Sequence, residues 1–273
     1  MSGIGTGYDL SVSTFSPDGR VFQTEYAQKA VDNGGTVIGV QCKGGVVLGI
    51  EKQVVSKMLV PNSNRQSFAV DRHAGIAIAG LAADGRAVVS RASSEAQQYK
   101  QFYGHAVPGR VLADRIASFV HVFNLYWYVR PMGVAALVAS AGSGASDAAE
   151  GAKGAADPTS TVDPALFLEP PALHVIDPSG ACHRARGAAV GKGRAVARNE
   201  IEKLDLDSLA PTDAVKALAK ILNRAHDEEK PFELEMAWIC AESGWEFKRV
   251  PQALVDQADE EAKAALEEED MDD

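Results

Sequence analysis

Residues 13–41, STFSPDGRVFQTEYAQKAVDNGGTVIGVQ, place a short amphipathic helix directly ahead of the first buried strand, and that order decides the fold. Ser16-Pro17 reads as the helix start: a serine oxygen can cap free amides, and proline suits a first turn whose amides need no partner. At 3.6 residues per turn, Phe22, Tyr26, Ala27 and Ala30 share one face, while Thr24, Glu25, Gln28, Lys29 and Asp32 share the other. Asn33-Gly34-Gly35 ends the helix, because these residues tolerate the left-handed backbone of a helix exit. The apolar period then shortens to that of a strand at residues 36–40. The helix is expected over residues 17–33.

Downstream, Lys43-Gly44-Gly45 predicts a tight turn into a strand at 46–50, and residues 68–70 and 75–79 a strand pair buried on both faces. Val88, Ala92, Ala96, Tyr99 and Tyr103 mark one long helix; Leu112, Ile116, Phe119 and Phe123 mark another. Residues 132–139 form a continuous apolar run, and 173–176 pair with 181–184 across the turn Asp177-Pro178-Ser179-Gly180. Helical patterns return at 195–204 and 212–226. A closing hairpin of 234–240 with 245–250 precedes a last helix starting at Pro251. Helix, strands, two helices, strands, two helices, strands fits two sheets face to face with helices outside; two separate α+β lobes are the alternative. No linker falls at a lobe boundary. The one low-complexity segment, residues 142–171, lies between strands and reads as a surface insertion, since its composition cannot bury a core.

At 273 residues and 46% hydrophobic composition the chain can bury one sizeable core or two small ones. No apolar run reaches the roughly 18 residues that span a bilayer, and the first residues lack a signal-peptide pattern, so a soluble intracellular protein is expected. Cys42, Cys182 and Cys240 are widely separated among strand-like residues, which favours buried reduced thiols over a disulfide or metal site. Residues 256–273 hold ten acids and one lysine, which is −9 of the net charge of −10. The nearly neutral body carries no basic stripe, which argues against nucleic-acid binding.

Several apparent catalytic signals fail on spacing. Residues 187–193 imitate a phosphate loop, with three residues between the glycines instead of four and glycine where a metal-binding hydroxyl belongs. The six histidines never fall at ligand spacing, and His73 in Asp71-Arg72-His73 reads as a satisfied structural residue. Ser179 sits in a turn and not on a nucleophile elbow.

The blocks Phe15-Ser16-Pro17-Asp18-Gly19-Arg20 and Gln23-Thr24-Glu25-Tyr26-Ala27 resemble the N-terminal signature of proteasome alpha-type subunits. The resemblance continues through Gly45 to Lys52, Gly80-Leu81-Ala82-Ala83-Asp84, Arg130-Pro131-Met132-Gly133 and Ile201-Glu202-Lys203-Leu204, over nearly the whole chain except about 141–171. It implies an α+β fold, a four-layer αββα sandwich of the N-terminal-nucleophile hydrolase type. It divides the chain into one domain, 1–250, with a gate arm at 1–12, the alpha-subunit helix at 17–33 and an insertion loop at 141–171, followed by an acidic helix and tail at 251–273.

Related beta-type subunits hydrolyse peptides with an N-terminal threonine activated by its own amine. Matched back from Glu51, the nucleophile's place holds Gly35, with Thr36 one residue later; Gln66 stands at the place of the catalytic lysine and Glu51 at that of an aspartate. The resemblance therefore implies a non-catalytic ring subunit without cofactor. Its partners would be neighbouring alpha subunits, the beta ring and a regulatory particle or activator, with no nucleic acid or membrane, in cytoplasm and nucleus. Tyr8, Asp9 and Leu10 would belong to the gate arm, with Leu10 replacing the arginine common in the family. Phe22, Glu25 and Tyr26 would lie on the inter-subunit helix, and Arg65, Gln66 and Gly80 in a pocket for activator tails. The alternatives are an active threonine hydrolase, cleaved before Thr36, and a free-standing adaptor with an acidic tail.

Overall fold

The computed structural model describes residues 7–54, 56, 58–60, 63–142, 170–226 and 231–272, with side chains described to residue 268. One antiparallel sheet contains β1 (Val37–Cys42), β2 (Gly45–Gln53), β8 (Gly187–Val190), β9 (Phe232–Cys240) and β10 (Lys248–Arg249), in the order β10-β9-β2-β1-β8. The other contains β3 (Ser67–Asp71), β4 (Ala74–Gly80), β5 (Val134–Ser140), β6 (Ala172–Ile176) and β7 (Cys182–Ala185), in sequential order. Six helices are present among the described residues: α1 (Phe22–Asp32), α2 (Ala82–Tyr103), α3 (Gly109–Val122), α4 (Arg194–Glu202), α5 (Pro211–Ala225) and α6 (Gln252–Asp272).

The layers follow from strand alternation. In the first sheet, Ile38, Val40, Val47, Met236 and Trp238 face outward against Ala197 and Ile201 of α4, Leu218 and Leu222 of α5, and Val255, Ala258 and Ala262 of α6. In the second, Ile76, Ile78, Ala136 and Val138 pack against Val88 and Ala92 of α2 and Leu112 and Ile116 of α3. The alternate residues, Val37, Val46, Leu48, Ile50, Ala77, Ala79, Leu137 and Leu173, meet between the sheets. Strands covered on both faces have no polar face to show. This is why 134–140 reads as an unbroken apolar run although its sheet is antiparallel. The sandwich expected over two lobes is the observed arrangement.

Several boundaries differ from expectation, each for a local reason. Helix α1 begins at Phe22 and not Pro17, because residues 16–20 close on themselves as a turn. Ser16 Oγ accepts the Arg20 amide at 3.0 Å, the Ser16 amide donates to the Arg20 carbonyl at 2.9 Å, and Gly19 takes φ +75°. Ser16 thus caps a turn instead of the helix. The buried stripe of α1 is Phe22, Ala27 and Val31, so Tyr26 is exposed rather than part of the packed face. Strand β3 is an edge strand with Ala69 exposed, not buried on both faces. Strand β10 is short because Trp245 turns with φ +60° and the Phe247 amide donates to the Arg72 carbonyl at 2.7 Å, tying this segment to the other sheet. Ala141, expected at the start of the insertion, is buried in the inter-sheet core; residues 143–169 of that loop lie outside the described residues. Cys42 and Cys240 are buried free thiols, while Cys182 is only half-buried.

Two of the motifs singled out in the sequence are bonded to each other. Arg130 forks onto Asp84, with Nη1 to Oδ2 at 2.7 Å and Nη2 to Oδ1 at 2.9 Å, and the Gly133 amide donates to Oδ2 at 2.9 Å. The Leu81 amide returns a bond to the Gly133 carbonyl at 2.9 Å. This clamp fixes the start of α2 against the start of β5, the platform on which α1 packs. Hydrogen bonding from Arg130 outweighs burial and holds the Asp84 carboxyl below its ordinary 3.8. A depressed carboxyl stabilises the fold above that ordinary value, and the contribution is lost as pH falls through the lower folded value. Arg130 is largely exposed, so solvent screens the ion pair, while the Gly133 amide adds a second bond to the half-buried carboxylate. Asp84→Asn should cost about 1–3 kcal/mol at neutral pH in urea unfolding of the purified chain. The gap to wild type should narrow as pH drops below 3.8; a gap constant with pH would contradict this account of the clamp.

Candidate functional site

The chain bends from α1 into β1 at Gly34-Gly35-Thr36, and this bend is wedged against β2. A β-carbon at Gly35 would lie 2.2 Å from the Glu51 carbonyl oxygen, so residue 35 can carry no side chain while the strands stay paired. Thr36 is fully buried. Its amide donates to Glu51 Oε2 at 3.0 Å, and its Oγ1 accepts the Gly193 amide at 3.0 Å. Its nitrogen is an ordinary peptide nitrogen, closed by Gly35. An N-terminal nucleophile needs a hydroxyl beside a free amine. Here the hydroxyl serves as an acceptor, and the nitrogen is engaged in a structural bond.

Glu51 is buried, and its second oxygen, Oε1, lies 2.8 Å from His226 Nδ1. The His226 ring in turn packs on Phe232 with centroids 4.1 Å apart. Gln66, at the place of the catalytic lysine, bonds through its main chain elsewhere: its amide donates to Glu235 Oε2 at 3.3 Å and its carbonyl accepts the Ile78 amide at 3.0 Å. Glu235 also accepts the Ser67 amide at 3.1 Å and the Ser67 hydroxyl, and pairs with Arg249 at 3.3 Å. One buried carboxylate from β9 therefore pins the start of β3 in the opposite sheet. Sequence reading missed Glu235 and His226. The available signal for Glu235 was an acid between Leu234 and Met236, at the edge of the apolar run 236–240.

Arg65 is exposed and Gln66 half-buried on the stretch leading into β3. The buried Gln66 Oε1 has no hydrogen-bond partner among the described residues. Gly80 ends β4 with φ +106°, where its backbone closes on Gly34 and Gly133. The Gln66–Ile78 bond brings Arg65 and Gln66 alongside the strand that ends at Gly80. These three residues thus share one end of the second sheet.

The N-terminal segment meets the exposed face of α1. Gln23 Nε2 donates to the Asp9 carbonyl, and the Tyr26 hydroxyl donates to Asp9 Oδ2 at 3.3 Å. Desolvation, followed by the Asp9 charge, pushes the Tyr26 phenol above its ordinary value, so it stays a donor at neutral pH. Tyr8 is partly exposed and Leu10 almost fully so. Glu25 turns away to accept Arg20 Nε at 2.6 Å, and this bond holds its carboxyl below the ordinary range. Phe22, by contrast, is core and unavailable at a surface. The rest of the expected arm, residues 1–6, lies outside the described residues.

The family profile described as "Proteasome subunit" matches residues 31–146 and 168–239, and a second profile, for the N-terminal signature of A-type proteasome subunits, matches residues 8–30. The alpha type-3 proteasome subunit of Arabidopsis thaliana is 50% identical over 274 residues, covering 100% of both chains. The protein of the same name from Acanthamoeba castellanii is 47% identical over 97% of this chain and 96% of its own. The probable alpha type-7 proteasome subunit of Schizosaccharomyces pombe is 44% identical over 99% and 98%.

The wedge at Gly35 makes a stability prediction. Gly35→Ser, although it supplies a hydroxyl at the nucleophile's place, should lower the unfolding free energy of the purified chain by about 1–3 kcal/mol or more. It should confer no peptidase activity. An unchanged urea midpoint would mean that the β1–β2 approach is looser than described.

Proposed function

This chain belongs to the proteasome subunit family as a non-catalytic, alpha-type member of the outer ring, and we propose that it also gates that ring and docks regulators in ATP- and ubiquitin-dependent protein degradation. Cleavage before Thr36 as a route to activity is excluded by the same geometry: Thr36 is buried, its hydroxyl is engaged, and the wedged Gly35 precedes it. Assembly with other proteasome subunits follows from membership, so the chain is not a free-standing adaptor.

The gating reading rests on the anchorage of Asp9. Gln23 and Tyr26 hold it to α1 while Tyr8 and Leu10 remain accessible, so the arm has a fixed root on the body. An arm rooted in this way would cover a passage and withdraw with its root in place. The exposed face of α1, with Glu25 and Tyr26, is where a neighbouring subunit would pack. Regulator tails would dock beside Arg65, Gln66 and Gly80. Gln66 Oε1, without a partner among the described residues, supports that placement, because a buried acceptor gains from a donor brought by a partner. We place the activity in cytoplasm and nucleus.

The acidic C-terminus is continuous with helix α6, whose Val255, Ala258 and Ala262 are packed on the first sheet's outer layer. Lys216 pairs with Glu261 at 2.8 Å, and Asn223 donates to Asp259 at 2.9 Å, so the helix is docked up to that turn. Beyond it, Glu267 and Glu268 are exposed. These acids and those that follow would attract the basic face of a regulator over a Debye length of about 8 Å.

Two experiments on assembled particles test these readings. Deleting residues 2–10 should raise basal hydrolysis of small peptides severalfold with assembly intact; unchanged hydrolysis would remove this arm from the gate. Truncation after Ala265 should leave assembly and peptide hydrolysis alone while weakening regulator binding, more so at low salt than at high. Equal affinity at both salt concentrations would reduce the tail to a solubility device.

A further inference from the structure

The locus that would hold a nucleophile contains instead a buried junction of three chain segments. The first is the exit of α1, through Gly34 and Thr36. The second is the turn 191–193 that leads into α4, and the third is His226 at the exit of α5. Glu51 joins the first to the third with its two oxygens, accepting the Thr36 amide at 3.0 Å and meeting His226 Nδ1 at 2.8 Å. The second segment is bonded to the first by the Gly193 amide on Thr36 Oγ1 at 3.0 Å and the Lys192 amide on the Gly34 carbonyl at 3.1 Å. Just outside, Arg194 pairs with Asp32 at 2.8 Å.

We propose that Glu51 is a positioning residue that seats helix α1, and with it the root of the N-terminal arm, against the ends of α4 and α5. The inference rests on the gating reading above only for its effect on the arm. The geometry requires a side chain of glutamate's length with two polar ends. Its two oxygens must reach the Thr36 main-chain amide just before β1 and the imidazole of His226, and an aspartate would withdraw the carboxylate by one carbon–carbon bond, about 1.5 Å. Neither bond would then survive at its present length. The fully buried Thr36 amide would lose its acceptor, so removing the carboxylate costs more than that bond itself. The strands of β1 and β2 remain zipped by their own ladder, from Val37–Ile50 to Cys42–Gly45. What loosens is the bend at residues 33–36 and the helix before it.

The test uses assembled particles carrying Glu51→Ala, Glu51→Asp or Glu51→Gln, each with and without residues 2–10. It reads amide hydrogen exchange in residues 22–36 and basal peptide hydrolysis. Glu51→Ala and Glu51→Asp should speed exchange in residues 22–36 at least tenfold while leaving β5 and β9 protected, and should raise peptide hydrolysis towards that of the arm deletion. Glu51→Gln retains an acceptor for Thr36 and an amide donor for His226, so it should keep exchange and hydrolysis near wild type. In the arm-deleted background none of the substitutions should raise hydrolysis further. Wild-type exchange in the alanine variant, or equal loss in the alanine and glutamine variants, would overturn the proposal. If the arm deletion alone leaves hydrolysis unchanged, the gating reading fails, and exchange in residues 22–36 still decides the role of Glu51. Should the alanine variant fail to assemble, exchange in the aspartate variant decides it: protection equal to wild type would refute the required reach.

Discussion

Covering both faces of both sheets is the constraint on which everything else in this molecule depends. Apolar side chains alternate between an inter-sheet layer led by Leu48, Ile50, Leu137 and Leu173 and two outer layers under the helices. With both faces of the sheets committed to packing, the sites with chemical or recognition potential lie at strand ends and bends. The Gly35–Thr36 bend, the stretch leading into β3 and the α1 surface are all of that kind. Two buried carboxylates enter the interior in satisfied groups: Glu51 with Thr36 and His226, Glu235 with Ser67 and Arg249. Each group links chain segments far apart in sequence, and a buried carboxylate can be kept only on those terms.

The same constraint explains why the family's sequence blocks lie where they do. Gly80 to Asp84 and Arg130 to Gly133 are distant in sequence but form one clamp, in which a single carboxylate receives a guanidinium fork and a main-chain amide. Beside it, the Gly34 and Gly80 backbones approach so closely that a β-carbon at Gly34 would fall 2.8 Å from the Gly80 nitrogen. Helix α1 is thus held at its exit by backbone contacts that admit no side chain. At its start it is freed by a separate turn at residues 16–20.

Much of this was legible in the sequence. Doubly buried strands advertise themselves as apolar runs, and the switch of period after Gly35 located both α1 and β1. The alternating pattern also fixed the hairpin at Lys43-Gly44, where Cys42 and Gly45 pair. What escaped were facts that depend on a second segment. Ser16 and Pro17 look alike whether they cap a helix or a turn, and only the returning bond from Arg20 distinguishes them. Tyr26 fits the apolar spacing of α1, yet Ala27 and Val31 fill the interface and leave the tyrosine to Asp9. Gln66 could be placed by analogy with a lysine, but its main-chain tie to Glu235 crosses 169 residues and leaves no local trace. Pattern reads faces; it does not read partners.

The fit of Gly35 against the Glu51 carbonyl carries an evolutionary consequence. Loss of catalysis by substituting a nucleophile alone is reversible, since one codon can restore the hydroxyl. In this chain the space for a hydroxyl at residue 35 is taken up by backbone, and the next nitrogen, that of Thr36, is a peptide nitrogen bonded to Glu51. Regaining activity would need several simultaneous changes, each of which alone only weakens the fold. The arrangement works as a ratchet: a hydroxyl restored at residue 35 alone meets the Glu51 backbone and leads to no peptidase.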